Sequence, residues 1–292
     1  MSILPDSYLT YAKRHAGPDH DHYPASPIID RAPIALPGGA KLGLWVVVPL
    51  EFFPLNPSGQ PFKAPGAMQT PYPDLRHYTT RDYGNRVGAY RLLTLFGKLG
   101  LRATFAVQGA VADRYPGLVR DILSDGHNLC AHGWDTDSLH HSALSAEVED
   151  GYITRTLDAI QAAGGTRPDG WLSPARAEGF ATPSRLAANG VRWFADWAHD
   201  DLPTRFRTEA GELAALPLSN ELDDWQILIN YTRPEHEWAM QVTDAADWLL
   251  DEAGRYNSPR LLTLTVRPYV SGLPYRVKAL GGGGRGGNLL GL

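Results

Sequence analysis

Apolar runs alternate with amphipathic segments along most of this chain of 292 residues. The run KLGLWVVVPLEFF (41–53) is rich in β-branched residues and predicts a buried strand. The segment DYGNRVGAYRLLTLFGKLG (82–100) has apolar residues at helical spacing and ends at a glycine, which predicts a helix. Further strands, with the turns or loops after them, are predicted at 101–109, 127–133, 167–174, 191–203, 213–225 and 260–270, and further helices at 116–126, 145–165, 182–190 and 234–254. This order predicts an α/β fold with a mainly parallel sheet, either doubly wound or closed into a barrel.

Three segments lie outside this alternation. Residues 1–40 are rich in proline, histidine and aspartate and show little periodicity, which predicts an extended N-terminal arm. Residues 54–82 begin with a stretch that holds six prolines, and they predict a long loop that serves as a functional lid. Residues 281–292 contain seven glycines, which disfavour any regular element. We therefore expect one domain over 41–280, followed by a glycine-rich tail.

Composition narrows the class of protein. A hydrophobic fraction of 43% over this length is enough for one large core. The net charge is −5 and no cluster of Lys or Arg occurs, so we expect no nucleic-acid partner. The single cysteine, Cys130, excludes an internal disulfide framework and a Cys-rich zinc site, and its apolar surroundings predict a buried, inert thiol. No run approaches the roughly 18 apolar residues of a membrane span, and the N-terminus does not resemble a signal peptide. We expect a cytoplasmic protein without a membrane partner.

The segment AHGWDTDSLHH (131–141) concentrates candidate chemistry. It holds three histidines and two aspartates, namely His132, Asp135, Asp137, His140 and His141. It follows a predicted strand, and α/β folds place their chemistry at the carboxyl ends of strands. Imidazole and carboxylate groups there can bind a metal, polarise a carbonyl or move a proton.

Other polar or special residues also follow predicted strands. Together with the histidine segment they form one predicted site, made of Glu51, His132, Asp135, Pro174, Asp200, Asp201, Asn220, Glu221 and Arg267. Structural alternatives stay open for several of them. Glu51 could form a structural salt bridge, His132 could be a hydrogen-bonded core histidine, and Asp135 could cap a turn. His140 and His141 are expected on a solvated loop.

These motifs, in this order, resemble the polysaccharide deacetylase (NodB homology) superfamily. The quoted stretches are DYGNRVGAYRLL, LRATFAVQG, DILSDGHNLCAHGWDTD, GWLSPAR, DWAHDDLP and LTVRPYVSGLPYRVKAL. More narrowly, the chain is similar to intracellular peptidoglycan-deacetylase-like proteins and to cofactor-independent allantoinases. The resemblance covers about residues 42–280. It implies an irregular (β/α) barrel of fewer than eight units, and the glycines after residue 280 predict that the last β/α elements are missing.

The resemblance also implies a catalytic layout, from which this chain departs. Metal-dependent members hydrolyse acetamides with a divalent metal, usually zinc, held by one aspartate and two histidines four residues apart. A second aspartate serves as base and a histidine of the last motif as acid. Here Glu51 matches the metal-binding carboxylate, the base position is apolar or Pro49, and His132 matches the first histidine. Thr136 stands at the second histidine and Arg267 at the acid.

The same resemblance bears on cofactors. Catalytic zinc generally needs three protein ligands, and Glu51 and His132 supply two. The allantoinase branch also has glutamate in its first motif and lacks the second histidine, so metal-free catalysis is favoured over a bound zinc. The third motif is altered as well, since it has Leu172-Ser173-Pro174 and its arginine, Arg176, is displaced by four positions.

The leading hypothesis is a hydrolase of non-peptide carbon–nitrogen bonds, acting on an N-acetylated saccharide or a small amide or ureide. Glu51 and His132 would activate water, Asp135 would orient His132, and Arg267 would stabilise the oxyanion. The predicted substrate contacts are Trp134, Pro174, Asp200, Asp201, Asn220 and Glu221. The alternatives are a catalytically impaired barrel that binds a carbohydrate or small molecule, and a truncated gene product. Related proteins suggest a homo-oligomer.

Overall fold

A curved, mostly parallel β-sheet forms the centre of the protein in a computed structural model that describes residues 18, 20–60 and 73–282. Within these residues the sheet has eight strands in the order β6-β7-β5-β4-β3-β2-β1-β8, and β6 and β7 alone pair antiparallel. The strands are β1 Leu42–Leu50, β2 Thr104–Val107, β3 Asn128–Ala131, β4 Gly170–Trp171, β5 Trp193–Phe194, β6 Thr204–Thr208, β7 Gly211–Ala215 and β8 Arg260–Thr265. The predicted α/β class is therefore confirmed.

Helices connect the successive strands from β1 to β5 and again from β7 to β8, as the alternating pattern predicts. They are α1 Leu75–Tyr83, α2 Ala89–Leu99, α3 Gly109–Arg114, α4 Pro116–Ser124, α5 Ala146–Gly164, α6 Thr182–Ala188, α7 Glu235–Arg255, α8 Pro268–Ser271 and α9 Pro274–Leu280. A π-helical turn at Gly84–Gly88 joins α1 to α2, and a second one covers Trp225–Asn230. Short 3-10 turns lie at Ile28–Asp30, Pro37–Gly39 and Pro174–Arg176. Among the described helices, none has the length and apolar character needed to cross a bilayer.

Strand β1 is the buried centre of the sheet. Its second half is almost completely inaccessible because β2 and β8 flank it and helices cover it. Val47 lies opposite Thr104 of β2 and Thr265 of β8, so the three strands run in parallel register. Their carboxyl ends consequently meet at one edge of the sheet, where Glu51 follows β1 directly.

The sheet does not close into a continuous barrel. Strands β6 and β8 are its two edges. The gap is crossed near β8 by a side-chain bond, in which the backbone N–H of Ser219 donates to Oγ1 of Thr263 at 2.8 Å. An open sheet bridged in this way agrees with the predicted irregular barrel.

Several element boundaries differ from the predictions. The helix predicted from residue 82 begins at Leu75, because the carboxylate of Asp74 accepts from the backbone N–H of His77 (3.1 Å) and caps it. The predicted loop 54–82 is therefore shorter. Residues 61–72, in the middle of the predicted lid, lie outside the described residues. The β6–β7 hairpin was not anticipated, because its polar edge strand shows little apolar alternation.

The described part of the predicted N-terminal arm lies against the edge strand β6. The backbone N–H of Arg207 donates to the carbonyl of His22 at 2.8 Å, and the His22 ring stacks on Phe206 with centroids 4.4 Å apart. Arg31 anchors the arm further along through an ion pair with Asp200 at 2.7 Å. At the other end, α9 stops at Leu280, and most of the predicted glycine-rich tail lies outside the described residues.

Candidate active site

A cavity of about 350 Å³ opens at the carboxyl ends of the central strands. Its walls come from the segments that follow β1, β3, β4, β7 and β8, the edge where parallel α/β sheets gather chemistry. The structure brings six of the predicted site residues to this cavity, namely Glu51, His132, Pro174, Asn220, Glu221 and Arg267.

Glu51 is held by two arginines and a tyrosine at the base of the cavity. Its Oε2 accepts from the hydroxyl of Tyr269 (2.9 Å) and lies 3.4 Å from Nε of Arg81, while Oε1 lies 3.6 Å from Nε of Arg267. Burial alone would raise the pKa of Glu51, but Arg81 and Arg267, helped by His132 and Tyr269, hold it below its usual value. Glu51 is therefore an ionised carboxylate with both oxygens engaged.

His132 presents one ring nitrogen for chemistry. Its Nδ1 lies 2.8 Å from the carbonyl oxygen of Leu172, and because a carbonyl can only accept, Nδ1 carries the proton. Nε2 is then the nitrogen with a free lone pair. Burial lowers the pKa of His132, although Glu51 and the Leu172 carbonyl oppose the effect. The ring is accordingly neutral at pH 7 and can accept a proton or a ligand through Nε2.

A glycine permits the close packing beside this histidine. Gly133 has φ +67°, and a Cβ there would lie 2.4 Å from Cγ of Pro174. No L side chain fits that contact without displacing the proline. Gly133 thus brings the loop after β4 against the loop after β3, and Pro174 reaches the cavity next to His132.

Two consecutive aspartates hold Arg267 at the cavity wall. Nη1 of Arg267 donates to Asp223 (2.6 Å) and Asp224 (2.9 Å), and its backbone N–H donates to Asp224 at 2.6 Å. Burial opposes the charge of Arg267, but Asp223 and its other acidic neighbours keep its pKa above the ordinary value. Burial raises the pKa of Asp224 to about 7, against the effect of Arg267. Nη2 of Arg267 is not used in these contacts.

The loop after β4 carries a second arginine to the cavity. Ala175 and Arg176 both have positive φ, 55° and 53°, which is uncommon for residues other than glycine. Nη1 of Arg176 donates to the carbonyl of Leu218 at 2.8 Å and to the side-chain oxygen of Asn220, and Nη2 donates to the carbonyl of Ser219 at 3.3 Å. These bonds tie the loop after β4 to the loop after β7.

A pair of carboxyl groups lies beneath the same loop. Asp196 accepts from the backbone N–H of Ser173 (2.6 Å), and Glu178 accepts from Nε1 of Trp197 (2.9 Å). The remaining oxygens, Oδ2 of Asp196 and Oε1 of Glu178, are buried and have no hydrogen-bond partner among the described residues. Burial and the neighbouring Asp196 raise the pKa of Glu178 to about 10. One proton held between the two groups would satisfy both buried oxygens.

Asp135 caps a turn instead of facing the cavity. Its Oδ1 accepts from the backbone N–H groups of Asp137 (3.0 Å) and Ser138 (2.8 Å). The expectation that Asp135 orients His132 differs from this geometry, because the carbonyl of Leu172 holds the ring. Short aspartate side chains readily bond the backbone two or three residues ahead, and this local bond prevails here.

Three predicted substrate contacts lie outside the cavity. The ring of Trp134 packs under Arg155, whose guanidinium carbon lies 3.3 Å from the ring centroid. Asp200 pairs with Arg31 of the N-terminal arm at 2.7 Å. Asp201 is exposed and borders a different cavity, beside α7 and β8. The structure therefore does not bring Trp134, Asp200 or Asp201 to the cavity that holds His132.

The end of the histidine segment is structural. Asp137 accepts from the backbone N–H groups of Ser58 (2.6 Å) and Gly59 (3.3 Å) and so fixes part of the loop after β1. The interpretation of His140 as a solvated loop residue is wrong, because its side chain is 0% exposed and its Nδ1 lies 3.1 Å from Glu149.

The divalent metal implied by the resemblance does not fit the residues present. Both oxygens of Glu51 already face cations or a hydroxyl donor, so a dication there would lie beside two guanidinium groups. Thr136, at the second histidine position, donates its hydroxyl to the carbonyl of Phe52 at 3.1 Å. In the described part of the chain, no three His, Cys, Asp or Glu side chains are placed to hold a metal together. Among the described residues that line the cavity, His132 alone offers a suitable nitrogen. Metal-free catalysis stays a prediction.

Sequence reasoning missed several residues at this site, and the reasons differ. Asp196 is the first acid after β5, but the predicted segment 191–203 directed attention to the acids at its far end. Arg81 belongs to helix α1, which lies within the loop predicted over 54–82. Tyr269 belongs to the short helix α8, which lies within the strand predicted over 260–270. Asp223 and Asp224 precede a π-helical turn that has no clear sequence signal. If the predicted strand ended at Thr265, as β8 does, Tyr269 would count among the polar residues that follow a strand.

Comparison with known protein families agrees with the motifs. Residues 71–193 match the family described as polysaccharide deacetylase. A curated relative, the peptidoglycan deacetylase of Helicobacter pylori, is 24% identical over 143 residues, which is 49% of this chain and 48% of the relative. The chain thus spans about half the length of that relative. These matches confirm the resemblance that the motifs indicate.

Solved structures share the fold over most of the chain. A protein described as a polysaccharide deacetylase from Pseudomonas aeruginosa has a TM-score of 0.75 and 22% identity, covering 88% of this chain and 89% of its own. Puue allantoinase has a TM-score of 0.72 and 21% identity over 88% of this chain and 89% of its own. A protein described as a polysaccharide deacetylase from Mycobacterium smegmatis has a TM-score of 0.69 and 23% identity, covering 86% of this chain and 85% of its own. The predicted NodB-type fold is confirmed.

Proposed function

We propose that the cavity of this chain, which is similar to the polysaccharide deacetylases over residues 71–193, hydrolyses a non-peptide carbon–nitrogen bond in a small amide, a ureide or an N-acetylated sugar. The observation that carries the proposal is the neutral His132 lining the same cavity as the charged Arg267. A base and an oxyanion-stabilising cation are the two groups that hydrolysis of an amide requires. The resemblance to deacetylases supports the amide class, and the cavity volume of about 350 Å³ favours a compact substrate or a single sugar unit.

His132 acts as the base in this proposal. Its Nδ1–H is fixed on the Leu172 carbonyl, so Nε2 takes the proton of a water molecule as that water attacks the carbonyl carbon. The imidazolium that forms is stabilised by the ionised Glu51, whose charge raises the pKa of His132. Glu51 therefore supports the protonated state through its charge, while its oxygens stay bonded to Arg81, Arg267 and Tyr269.

Arg267 stabilises the negative charge that develops on the substrate oxygen. Its Nη1 is taken by the two aspartates, and Nη2 is the donor available for the oxyanion. A single well-placed donor of this kind contributes about 3–4 kcal/mol to the transition state. The tetrahedral intermediate then breaks its carbon–nitrogen bond, and His132 returns the proton to the leaving nitrogen. The products are a carboxylic or carbamic acid and a protonated leaving nitrogen, which is an amine for an N-acetyl group and a urea nitrogen for a cyclic ureide.

A substrate panel tests the proposal. Purified protein is incubated with N-acetylglucosamine oligomers, allantoin and other small ureides, once with a chelator and once with added zinc. For the open-chain compounds, release of acetate, ammonia or amine is measured. For allantoin and other cyclic ureides, loss of the ring and formation of the open-chain carboxylate are measured instead. The His132→Gln protein is the control. Turnover that requires His132 is the expected result. Absence of turnover with every compound, under both conditions, would contradict a hydrolase function.

The substitutions at Thr136 and Arg267 favour a second candidate, a binding protein that has lost the chemistry. Titration calorimetry with the same compounds separates the two. Tight binding of a saccharide or ureide without any turnover would support the binding protein. Turnover in the substrate panel would exclude it.

A further inference from the structure

Arg176 differs from the other two arginines at the cavity. Arg81 faces Glu51, and Arg267 faces Glu51, Asp223 and Asp224, so both have carboxylate partners. The hydrogen bonds of Arg176 go to two backbone carbonyls and to the side-chain oxygen of Asn220. Among the described residues, no carboxylate lies within ion-pair distance of its guanidinium.

The backbone around Arg176 is held in a costly conformation. Two consecutive residues, Ala175 and Arg176, have positive φ, and such left-handed conformations of non-glycine residues persist where the surroundings enforce them. The enforcing contacts are the Asp196–Ser173 bond beneath the loop and the bonds of the Arg176 side chain above it. Both residues line the cavity as a result.

The positive charge of the half-buried Arg176 guanidinium is poorly compensated, because its hydrogen-bond acceptors are uncharged. Burial lowers the pKa of Arg176, while Asp223 and Asp196 act on it only from a distance. A guanidinium nevertheless stays protonated in proteins. Its charge is most strongly stabilised by a bidentate anion such as a carboxylate, which matches the planar fork of its donors.

We propose that Arg176 binds a carboxylate of the substrate, so that the substrate is a small acidic amide such as an N-acyl or N-carbamoyl amino acid. This inference rests on the proposed hydrolase function. Arg176 and His132 are joined through one short loop, since Leu172 holds His132 and Arg176 lies four residues later. The carboxylate and the scissile carbonyl are consequently close together in the substrate, which agrees with a cavity of about 350 Å³.

Matched ligand pairs test this assignment without a variant. N-Acetylglycine is compared with N-acetylglycinamide, and N-carbamoylglycine with its amide, by titration calorimetry on the full chain. Each pair differs in the charge of one group. We expect the acid of each pair to bind at least about ten-fold more tightly than the amide. The free energy of a hydrogen bond to a charged group corresponds to a change in Kd of that size or larger.

Variants then assign the preference to one side chain. Arg176→Gln is expected to abolish the preference for the acid, and Arg176→Lys to retain part of it, because lysine keeps the charge but loses the fork. Arg192→Gln is the control, since Arg192 is exposed, lies before β5 and does not line the cavity. Equal binding of acid and amide by the wild type overturns the inference, as does binding of neither at the highest soluble concentration. A preference that survives in Arg176→Gln also overturns it.

Turnover measured on the same samples separates this inference from the proposed function. Preferential binding of the acids without hydrolysis would contradict the hydrolase but support the carboxylate site. Hydrolysis of amides without any preference for the acids would support the hydrolase and contradict the carboxylate site.

Discussion

Two histidines of the segment 131–141 each lie near a buried glutamate, and the two clusters have opposite characters. His140 contacts Glu149 directly, at 3.1 Å, and Glu149 also accepts from Thr182 and lies 3.0 Å from Nε of Arg185. These residues belong to α5, α6 and the loop before them, and the His140 side chain is completely buried. The cluster joins two helices, and its histidine and glutamate are closed to solvent.

His132 lies at the carboxyl end of β3 and borders the cavity. Both rings are held through Nδ1, by a backbone carbonyl in His132 and by a carboxylate in His140. The His132 ring borders the cavity, whereas Nε2 of His140 is buried without a partner among the described residues. Glu51 acts on His132 through its charge and is itself held by arginines. The comparison teaches that strand-end position and an adjacent cavity decide which histidine can react, since the residue types of the two clusters are nearly the same.

The largest expected effect, on kcat, comes from replacing each of the two histidines separately by glutamine. His132→Gln should lower kcat by about 10²–10⁴-fold, the usual contribution of a general base, with little change in the free energy of unfolding. His140→Gln should leave kcat per folded molecule nearly unchanged and lower the free energy of unfolding by about 1–3 kcal/mol, since a buried bond is disturbed. Steady-state kinetics and urea unfolding measure the two quantities.

Each histidine variant is the control for the other. The assignment of the catalytic base to His132 would be contradicted if folded His140→Gln protein lost as much kcat as His132→Gln protein. The comparison of the two clusters would fail if His132→Gln were the less stable of the two proteins.

The next largest effect concerns Glu149. Glu149→Ala removes the acceptor shared by His140, Thr182 and Arg185, and it should lower the free energy of unfolding by about 3 kcal/mol, because breaking a buried ion pair leaves its partners uncompensated. Urea unfolding followed by circular dichroism measures the loss. Glu147→Ala is the matched control on the first turn of α5, where the side chain is exposed and little change is expected. Equal losses in the two variants would show that the Glu149 cluster does not hold α5 and α6 together.

The sequence predicted the fold better than the site, for a physical reason. The sequence identifies three residues of the cavity because each follows an apolar run that predicts a strand. These residues are Glu51 after β1, His132 after β3 and Arg267 after β8. The residues that hold them were not found. Arg81 and Tyr269 reach Glu51 from helices, and the approach of a helix to a strand end is a tertiary contact that local periodicity does not encode.

The same limit explains Asp135 and Asp200. Both follow predicted strands, and both were expected at the site. A turn at Asp135 and an ion pair of Asp200 with the N-terminal arm satisfy their carboxylates elsewhere. Position after a strand thus predicts that a polar residue can reach the cavity, and the local hydrogen bonds decide whether it does.

The smallest expected effect tests the electrostatic coupling that distinguishes the His132 cluster. Glu51 raises the pKa of His132, so Glu51→Gln should lower that pKa below its wild-type value. The imidazolium would then form only at lower pH, and the acid limb of the pH–rate profile would move in the same direction. Titration of the His132 ring by NMR, assigned with the His132→Gln protein, measures the pKa without requiring turnover.

Two further variants fix the sign of that coupling. Arg267 lowers the pKa of His132, so Arg267→Gln should raise it, opposite to Glu51→Gln. Glu221→Gln is the matched control, because Glu221 is exposed at the rim of the same cavity and should leave the titration unchanged. If the Glu51 and Arg267 variants shifted the pKa of His132 in the same direction, loss of packing instead of charge would explain both shifts.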